Sequence, residues 1–395
     1  MKLYYFILLQ LLWMSGGLVF FEGYSSIFLI LYLLSSFYFF SKKRALNLGY
    51  NYGIWIVLLC WVLFCDFIVN SYPEDNIFVS ILILPLSTLF VVSKLNFNDF
   101  KIHLLKVANW LMGVSLIVHL LHNLGLIPAS YISLGKVSGK MSLYFFNTEW
   151  GSYETFLGTI YRFSSIYWEV GQLQIVLIYL LVLYTDWILT LVKSRNYKVL
   201  IKKFGILVFS IIMTGSTTGY LTFMYYLLLI VLYSTSKKQI KYLPIYSLFF
   251  IGVSFLVFNS SAIQEKLEQK DSTATNTSYA IRLNNTIGCY NITMANPLFG
   301  LGSSSKELKR ELMLNDSLTS STGWLRTSAS YGIPILFFLL YFMYKGLRRM
   351  KLGVPSVCLL VVLIISQMNE YYTFFPYLFL YIFKFKSYSK PNYLR

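Results

Sequence analysis

The sequence predicts an all-α membrane protein, a polytopic bundle of about twelve transmembrane helices. Of the 395 residues, 57% are hydrophobic and only 12% are charged, whereas about a quarter of the residues in a soluble domain are charged. No soluble core could bury this much apolar surface. We therefore expect residues 1–395 to form a single integral membrane domain.

The apolar residues are grouped in runs close to the length of about 20 residues that crosses a bilayer. Two connections between runs are very short, namely TGSTTG at 214–219 and NEYY at 369–372. The predicted spans lie near residues 3–21, 24–40, 52–70, 77–93, 104–126, 169–192, 199–215, 218–234, 242–259, 324–344, 353–369 and 371–385.

The basic residues indicate how these spans are oriented. If the N-terminus is cytoplasmic, the segments on that side together with Lys106 hold 23 of the 33 Lys and Arg residues, as the positive-inside rule requires. Both termini are then cytoplasmic, and most of the net charge of +17 reflects topology. The basic residues form no stripe along the chain, so we do not expect a nucleic acid partner.

The other basic residues lie in or beside two long outer segments, the loops 127–168 and 260–323. Other connections on that side are short, for example SYPEDN at 71–76. Because segments outside the regular elements carry function more often than the elements themselves, we expect the functional site at these two loops.

The loop 260–323 is predicted to carry two short amphipathic helices on the outer leaflet. The first should end at Asn296–Pro297, because the residue before proline avoids the helical region. Its spacing gives an apolar face of Leu283, Ile287, Tyr290 and Met294 and a polar face of Arg282, Thr286, Cys289 and Thr293. The second is predicted from a capping box of Ser304 with Glu307.

Three arginines, Arg162, Arg282 and Arg326, are predicted at or near the outer membrane surface. A guanidinium is always charged and binds phosphate oxygens through two parallel hydrogen bonds, so the three together would suit a lipid pyrophosphate. The alternative for each arginine is contact with lipid headgroups or with a nearby acid. These residues are therefore candidates for binding an anionic lipid substrate.

Glu169 is predicted to open the sixth span, close to Arg162. It could be a first-turn acid that the helix dipole favours, a general base for a hydroxyl group, or a partner that orients Arg162. Tyr167 and Trp168 precede it, and flat rings with a polar tip suit the faces of sugars. The alternative for both rings is an interfacial aromatic belt.

The sequence offers little for a metal or a nucleotide. His119 and His122 stand three residues apart but have no acid or cysteine beside them, which makes a poor metal site. Phosphate-binding glycine motifs are absent as well. Asp66 and Asp186 are acids at or near membrane depth and are functional candidates for that reason. We expect no metal and no cofactor.

Several stretches resemble the motifs of one membrane enzyme family. In YRFSSIYWEVGQ, Ser165 replaces the glycine and Val170 the proline of its Arg-x-x-Gly-x-Phe-x-Glu-Pro element. In MTGSTTGYLTF, Thr217 stands where arginine is common in its small-residue turn. The others, SYAIRLNNTIG, NPLFGLG and GWLRTSASYGIP, follow in the expected order. Over residues 160–345 the chain thus resembles the O-antigen polymerases (Wzy-type), which share a superfamily with the O-antigen ligases.

The resemblance implies a glycosyltransferase of the bacterial inner membrane with its two long loops in the periplasm. Such an enzyme transfers a growing glycan from undecaprenyl pyrophosphate onto a lipid-linked repeat unit and needs no metal. Arg162 and Arg282 would then stabilise charge on the pyrophosphate, and Glu169 would accept the hydroxyl proton or orient Arg162. The resemblance also implies a candidate partner protein that regulates chain length.

One departure from the family bears on the choice of reaction. The ligases carry a His-Asn pair just before the tenth span, and their histidine is taken to be catalytic. This chain has Thr322 and Gly323 there, so polymerase is preferred to ligase, and Thr322 joins Arg326, Tyr167 and Trp168 as a candidate substrate-binding residue. A flippase or other transporter is the alternative from another class.

Overall fold

The structure, a computed structural model, describes residues 2–14, 19–41, 48–70, 75–134, 137–143, 146–148, 150–155, 158–167, 170–235, 278–302, 308, 323–368 and 376–388. Its helices are α1 (Lys2–Trp13), α2 (Val19–Ser41), α3 (Leu48–Leu63), α4 (Asp75–Lys94), α5 (Phe97–Asn123), α6 (Val170–Leu183), α7 (Thr185–Lys193), α8 (Tyr197–Met213), α9 (Thr217–Ser234), α10 (Ser278–Ala295), α11 (Gly323–Met350), α12 (Ser356–Ser366) and α13 (Pro376–Ile382). A π-helical segment, Phe64–Val69, continues α3. The strands are β1 (Ala129–Leu134), β2 (Val137–Ser142), β3 (Phe146–Asn147), β4 (Trp150–Thr155) and β5 (Gly158–Arg162).

The described helices identify a multi-pass membrane protein. Those long and apolar enough to cross a bilayer are Gly49–Val69, Phe97–Asn123, Thr217–Ser234 and Gly323–Met350, and the bent pair α6 and α7 makes a fifth. Shorter apolar helices lie within other predicted spans. The total of about twelve spans stays a prediction, and the predicted span 242–259 lies outside the described residues.

α6 lies at the centre of the bundle and is buried along nearly its whole length. α8, α9 and α12 pack around it, while α5 packs on α8 and α11 packs on α12 and α13. A continuous run of Leu, Ile and Val makes such a helix apolar on every side, which is typical of a fully buried helix. The central position of α6 brings its first turn close to the elements described below.

The bundle has two ends, which the ends of α5 define. Where α5 finishes, Asn123 Oδ1 accepts a hydrogen bond from the N–H of Tyr161 at 3.0 Å. We call this the Arg162 end, because β5 finishes there with Arg162. At the opposite end, where α5 begins, the N–H of Phe97 donates to the carbonyl of Ser387 at 2.9 Å.

α3 and α11 run in opposite directions between these ends. Asn51, near the start of α3, donates its side-chain amide to the carbonyl of Lys384 at 3.0 Å. Arg349, in the last turn of α11, donates to the carbonyl of Ile382 at 2.9 Å. Both contacts lie near the end of α13, at the opposite end of the bundle. The last residues of α3 and the first residues of α11 therefore lie at the Arg162 end.

The loop 127–168 departs from the all-α prediction, because its described residues form five short strands. β1, β2 and β3 make one antiparallel sheet, and β4 pairs with β5 in a second, in which Trp150 is opposite Arg162. Short stretches such as ASYISL and GTIYR contain β-branched and aromatic residues. These residue types favour strands. Long-window hydropathy does not detect them, so the prediction is wrong for this loop.

The single span predicted at 169–192 is two helices, α6 and α7, bent by 60° with respect to each other. Tyr184 lies at the break and donates its hydroxyl to the carbonyl of Lys101 at 2.6 Å. The carboxylate of Asp186 accepts two hydrogen bonds from Lys101 Nζ, at 2.7 and 2.8 Å. The break is thus tied to α5 by an ion pair in which Lys101 is fully buried and the carboxylate of Asp186 is 12% exposed. The sequence did not predict this pair.

The ion pair gives a prediction for stability. Lys101→Met leaves the carboxylate of Asp186 without its cation and should lower the free energy of unfolding by about 3–5 kcal/mol. The double variant Lys101→Met with Asp186→Leu removes both charges and should recover most of this loss. Denaturant unfolding in the same detergent measures the free energy of unfolding of both variants. The exposed Lys198→Met is the control, and a double variant no more stable than Lys101→Met would contradict this account of the break.

Candidate functional site

Arg162 lies on the C-terminus of α8. Its Nε donates to the carbonyl of Thr214 at 3.1 Å and its Nη2 to the carbonyl of Gly215 at 2.9 Å. The next residue, Phe163, donates its N–H to the carbonyl of Met213 at 3.0 Å. The last carbonyls of a helix lack partners within the helix, and a cation there also faces the negative end of the helix dipole. The Arg162 stretch is therefore anchored on the TGSTTG turn.

Ser165 stands where the motif has glycine, and its backbone conformation shows why glycine suits this position. Its φ is +59°, in the left-handed region that glycine adopts without steric cost. The strained residue is held by two contacts: its hydroxyl donates to Ser115 Oγ at 2.7 Å, and its carbonyl accepts from the N–H of Asn147 at 2.8 Å. The serine thus keeps the backbone shape that the family's glycine would give.

Asn147 is a buried residue of β3 that forms hydrogen bonds with residues on both sides of Ser165. Its carbonyl accepts a hydrogen bond from the hydroxyl of Ser164 at 3.0 Å, and its side-chain amide donates to the carbonyl of Tyr167 at 3.3 Å. The sequence analysis missed this residue. No local pattern could have found it, because the contact joins two segments about 20 residues apart whose pairing depends on the unpredicted strands.

Tyr167 lies in the core rather than at a surface that a sugar could reach. It is 1% exposed, and its hydroxyl donates to the carbonyl of Leu12 in α1 at 3.0 Å. This burial raises the pKa of the phenol. The ring therefore packs α1 against the start of α6 in this structure, which favours a structural role over the predicted contact with substrate.

Three other predicted site residues, Glu169, Trp168 and Thr322, lie outside the described residues. Arg282 belongs to α10, of which only the backbone is described as far as residue 284. Their roles stay predictions. Among the residues that the structure does describe, no group of three His, Cys, Asp or Glu side chains could hold a metal ion.

α10 ends at Ala295, as the Asn-Pro pair predicts, and packs on the first half of α11. Thr293 Oγ1 lies 3.0 Å from Ser328 Oγ, and Cys289 is buried in a small cluster with Ala329. Of the predicted apolar face, Ile287, Tyr290 and Met294 are exposed, whereas Cys289 and Thr293 of the predicted polar face are buried against the protein together with Ile292. The helix that carries Arg282 is therefore a neighbour of the helix that carries Arg326.

Arg326 lies in the first turn of α11, where the sequence placed it. It is 8% exposed, and the next residues, Thr327 and Ser328, are buried as well. Arginine is almost never buried to this degree unless it is paired. The low exposure of Arg326 places its guanidinium inside the protein at the Arg162 end and not on a surface that faces lipid headgroups.

α11 is broken at Gly332, whose backbone has φ 82° and ψ 169°. Pro334 follows two residues later and has no N–H to offer the carbonyl of Ser330. In an unbroken helix each carbonyl would accept from the residue four positions later. The break therefore leaves carbonyls of α11 that need partners from elsewhere.

The turn at 296–302, which contains NPLFGLG, supplies these partners. Leu301 donates its N–H to the carbonyl of Ala329, and Gly302 donates to the carbonyl of Ser330, both at 2.9 Å. Two stretches that the resemblance singled out separately are thus joined by main-chain hydrogen bonds. A buried carbonyl without a partner costs about 1–3 kcal/mol, so these bonds fix the turn on the helix.

The contact continues on both sides of the break. Ile333, whose N–H the break releases, donates to the carbonyl of Pro297 at 2.8 Å. The carbonyl of Tyr331 accepts from the indole N–H of Trp61 at 2.9 Å. α3, the 296–302 turn and α11 therefore meet at a single point, 9 residues after the start of α11.

Gly332 and Gly300 allow this close approach. A Cβ on Gly332 would lie 2.0 Å from the carbonyl oxygen of Leu298, and a Cβ on Gly300 would lie 2.4 Å from the carbonyl carbon of Ser330. Both distances are far below van der Waals contact. Both glycines also have positive φ, which larger residues adopt only with strain.

Asp66 is the one carboxylate classed as buried among the described residues, and it lies beside the same turn. It belongs to the π-helical segment after α3, a feature often found at functional sites. A Cβ on Gly302 would lie 3.2 Å from Asp66 Oδ1. The sequence singled out Asp66 only by its depth, because a π-helical segment has no sequence signature of its own.

The geometry thus defines a membrane protein in which two segments are held by interrupted helices. The Arg162 stretch is anchored on the C-terminal end of α8, and the 296–302 turn is anchored on the break in α11. A family model described as O-Antigen ligase matches residues 204–340, from α8 through α10 into α11. This match confirms the resemblance to the O-antigen ligase and polymerase superfamily, whose members are glycosyltransferase-like enzymes that process lipid-linked glycans. A search of curated proteins finds no match.

The anchoring of Arg162 can be tested apart from any activity. Arg162→Ala leaves the carbonyls of Thr214 and Gly215 without their donors and should lower the free energy of unfolding by about 1–3 kcal/mol. Arg162→Lys keeps the charge but loses the two-pronged geometry, so it should recover only part of this. Denaturant unfolding in detergent measures the series. Full stability of Arg162→Lys would show that the two bonds do not matter.

The break in α11 makes a prediction about Gly332. Gly332→Ala combines backbone strain with a clash against Leu298 and should cost about 3 kcal/mol or more. Gly53→Ala is the matched control, because Gly53 lies in α3 with no heavy atom within 4 Å of the added carbon. The control should gain about 0.5–1 kcal/mol. Equal midpoints of thermal unfolding for the two variants would contradict the assigned contact.

Proposed function

We propose that this protein is an O-antigen (surface polysaccharide) polymerase. It transfers the growing glycan from undecaprenyl pyrophosphate onto a lipid-linked repeat unit. The loops 127–168 and 260–323 lie in the periplasm, both termini are cytoplasmic, and the membrane is the bacterial inner membrane. A regulator of chain length is the expected protein partner.

The observation that carries the proposal is the way in which the motif stretches pair. The Arg162 stretch is fixed on the turn between α8 and α9, and the 296–302 turn is fixed on α11 next to α10. Each pair brings an arginine-bearing segment to a helix break. Apart from the Arg162 stretch and the last part of α11, these elements lie within the residues 204–340 that match the family model.

The reaction needs a nucleophile, a proton acceptor and stabilisation of the leaving group. The acceptor sugar hydroxyl attacks the anomeric carbon of the donor from the face opposite the pyrophosphate. The new C–O bond forms as the bond from carbon to the pyrophosphate oxygen breaks, and the hydroxyl proton passes to a carboxylate. We assign that role to Glu169, with orientation of Arg162 as its alternative role.

Arg162 and Arg282 act through charge. Polyprenyl pyrophosphate leaves with additional negative charge, and fixed cations in a poorly solvated site stabilise that charge strongly. Arg162 keeps its full charge while it bonds to Thr214 and Gly215, and those bonds hold the guanidinium in place before the substrate arrives. Arg326 and Thr322 bind the substrate, and no metal is required because pyrophosphate is a good leaving group.

A ligase is the nearest alternative, since the family model carries the ligase description. Thr322 and Gly323 occupy the position of the ligase His-Asn pair, which favours polymerase. A flippase or other transporter would place its charges along a central cavity. In this chain the basic residues outside the cytoplasmic segments lie instead in or beside the two long loops 127–168 and 260–323.

Arg282→Ala should abolish glycan chains longer than one repeat, because the leaving pyrophosphate loses a stabilising charge. Single repeats should still reach the surface, because ligation and export use other proteins. A polysaccharide ladder on a gel, from cells expressing each variant at matched protein level, measures this. Arg348→Ala is the control, an exposed arginine at the opposite end of α11.

The control should give the wild-type ladder. A ladder of normal length in Arg282→Ala would contradict the catalytic assignment. Loss of even the single-repeat product would indicate a ligase or a flippase instead of a polymerase.

A further inference from the structure

A stripe of polar side chains lies along the last turns of α5, a candidate membrane span that ends beside β5. Ser115, His119 and Asn123 follow one another at spacings of four residues, which places them on one face of the helix. Ser115 and His119 are each 1% exposed. Polar groups in a span face the protein because lipid offers them no hydrogen bonds, and Ser115 accordingly binds Ser165.

The other two members of the stripe bind the residue directly before Arg162. Asn123 Oδ1 accepts from the N–H of Tyr161 at 3.0 Å, and His119 Nε2 lies 3.1 Å from the carbonyl oxygen of Tyr161. The side-chain nitrogen of Asn123 donates to the carbonyl of His119 at 2.9 Å, which fixes the orientation of the amide. Both main-chain groups of Tyr161 are therefore held by α5.

The bond from His119 has a defined donor. A carbonyl oxygen can only accept a hydrogen bond, so the hydrogen lies on Nε2 of the imidazole. The ring of Phe163 meets the imidazole edge-on, with 5.3 Å between the ring centroids. The carbonyl that accepts the bond belongs to the planar peptide unit between Tyr161 and Arg162. His119 therefore sets the orientation of the peptide from which the side chain of Arg162 departs.

Arg162 bridges two helices that come from different parts of the chain. Its guanidinium binds the carbonyls of Thr214 and Gly215 after α8, while its main chain is held on α5 through Tyr161. Without the contact on α5, the peptide before Arg162 is free to turn. A shift of about 1 Å in a group that must meet a substrate can cost about a hundredfold in rate.

We propose that His119 and Asn123 are positioning residues for Arg162. This inference rests on the proposed function, in which Arg162 stabilises the charge that develops on the leaving pyrophosphate. The two side chains act through the main chain of Tyr161 and not by touching substrate. Their loss should therefore lower kcat and leave KM unchanged, because the stabilisation they support is realised in the transition state.

Two amide replacements of His119 differ only in reach. His119→Gln places an amide nitrogen near the position of Nε2, so it still donates to Tyr161. His119→Asn carries the same amide on a side chain one carbon shorter, and its nitrogen falls short of the carbonyl. Asn109→Ala is the matched control, because Asn109 also lies on α5 and donates to a main-chain carbonyl, that of Lys203, at 2.8 Å. It lies about 15 Å along the helix from His119.

The test uses purified full-length protein in nanodiscs with an undecaprenyl-pyrophosphate-linked single repeat unit, isolated from a strain that lacks the gene. The rate at which two-repeat product forms gives kcat and KM per folded protein, and denaturant unfolding gives the stability of each variant. His119→Asn should lower kcat about tenfold with KM within about twofold, and His119→Gln should keep kcat within about threefold of wild type. Asn109→Ala should lose as much stability as His119→Asn and keep the wild-type kcat.

Asn123→Ala releases the other main-chain group of Tyr161 and should lower kcat as His119→Asn does. It takes the place of His119→Asn in the comparison if that variant does not fold. Wild-type kcat in these variants despite lost stability would show that the contacts only support the fold, and would overturn the inference. So would a loss of kcat in His119→Gln as large as that in His119→Asn, because reach would then not matter.

The same experiment separates this inference from the proposed function. If wild-type protein extends the repeat unit and the variants at His119 and Asn123 do so at the wild-type kcat, the inference fails while the polymerase proposal stands. If wild-type protein makes no product longer than one repeat, the proposed function fails together with the inference.

Discussion

Backbone carbonyls without a helical partner are the constraint on which the Arg162 end depends. α8 finishes at Met213 and α11 breaks at Gly332, and each interruption leaves carbonyls that cannot stay unpaired in a poorly solvated bundle. In the first case the guanidinium of Arg162 supplies the donors. In the second case the main chain of the 296–302 turn supplies them. Both interruptions are thus converted into attachment points for segments that the helices alone would not hold.

This constraint connects the architecture with the proposed chemistry. A glycosyl transfer from a lipid pyrophosphate needs fixed positive charge at the depth of the phosphates, and loops by themselves hold a charge poorly. Attaching the arginine-bearing segments to helix ends places them on rigid elements. The same attachment explains how small residues such as Gly300 and Gly332 serve the site without touching substrate, because they let two backbones approach. The sequence stretches that carry the family resemblance therefore hold one another in place through backbone hydrogen bonds.

The sequence predicted the features that have a repeating pattern and missed those that depend on contacts between distant segments. Long apolar runs indicated a helical membrane protein, and Asn296–Pro297 indicated the end of α10, because both signals are local. The strands of the loop 127–168, the 60° bend after α6 and the support from Asn147 were missed, since each depends on pairing with another part of the chain. The spacing grouped Ile287, Tyr290 and Met294, which are exposed together, but it could not show which side of α10 meets the protein before α11 was placed beside it. For the candidate site, the sequence singled out Arg162 but not the carbonyls that it binds, and it proposed a substrate contact for Tyr167, whose ring is buried in the core.

The central claim is that this protein lengthens a glycan on a lipid carrier. Polysaccharide from a strain that lacks the gene, separated on a gel beside the parent strain and a complemented strain, tests that claim most directly. The account predicts that the ladder of long chains disappears, that a single repeat unit remains attached at the surface, and that the complementing gene restores the ladder. An unchanged ladder, or the loss of the single-repeat product along with the long chains, would contradict it.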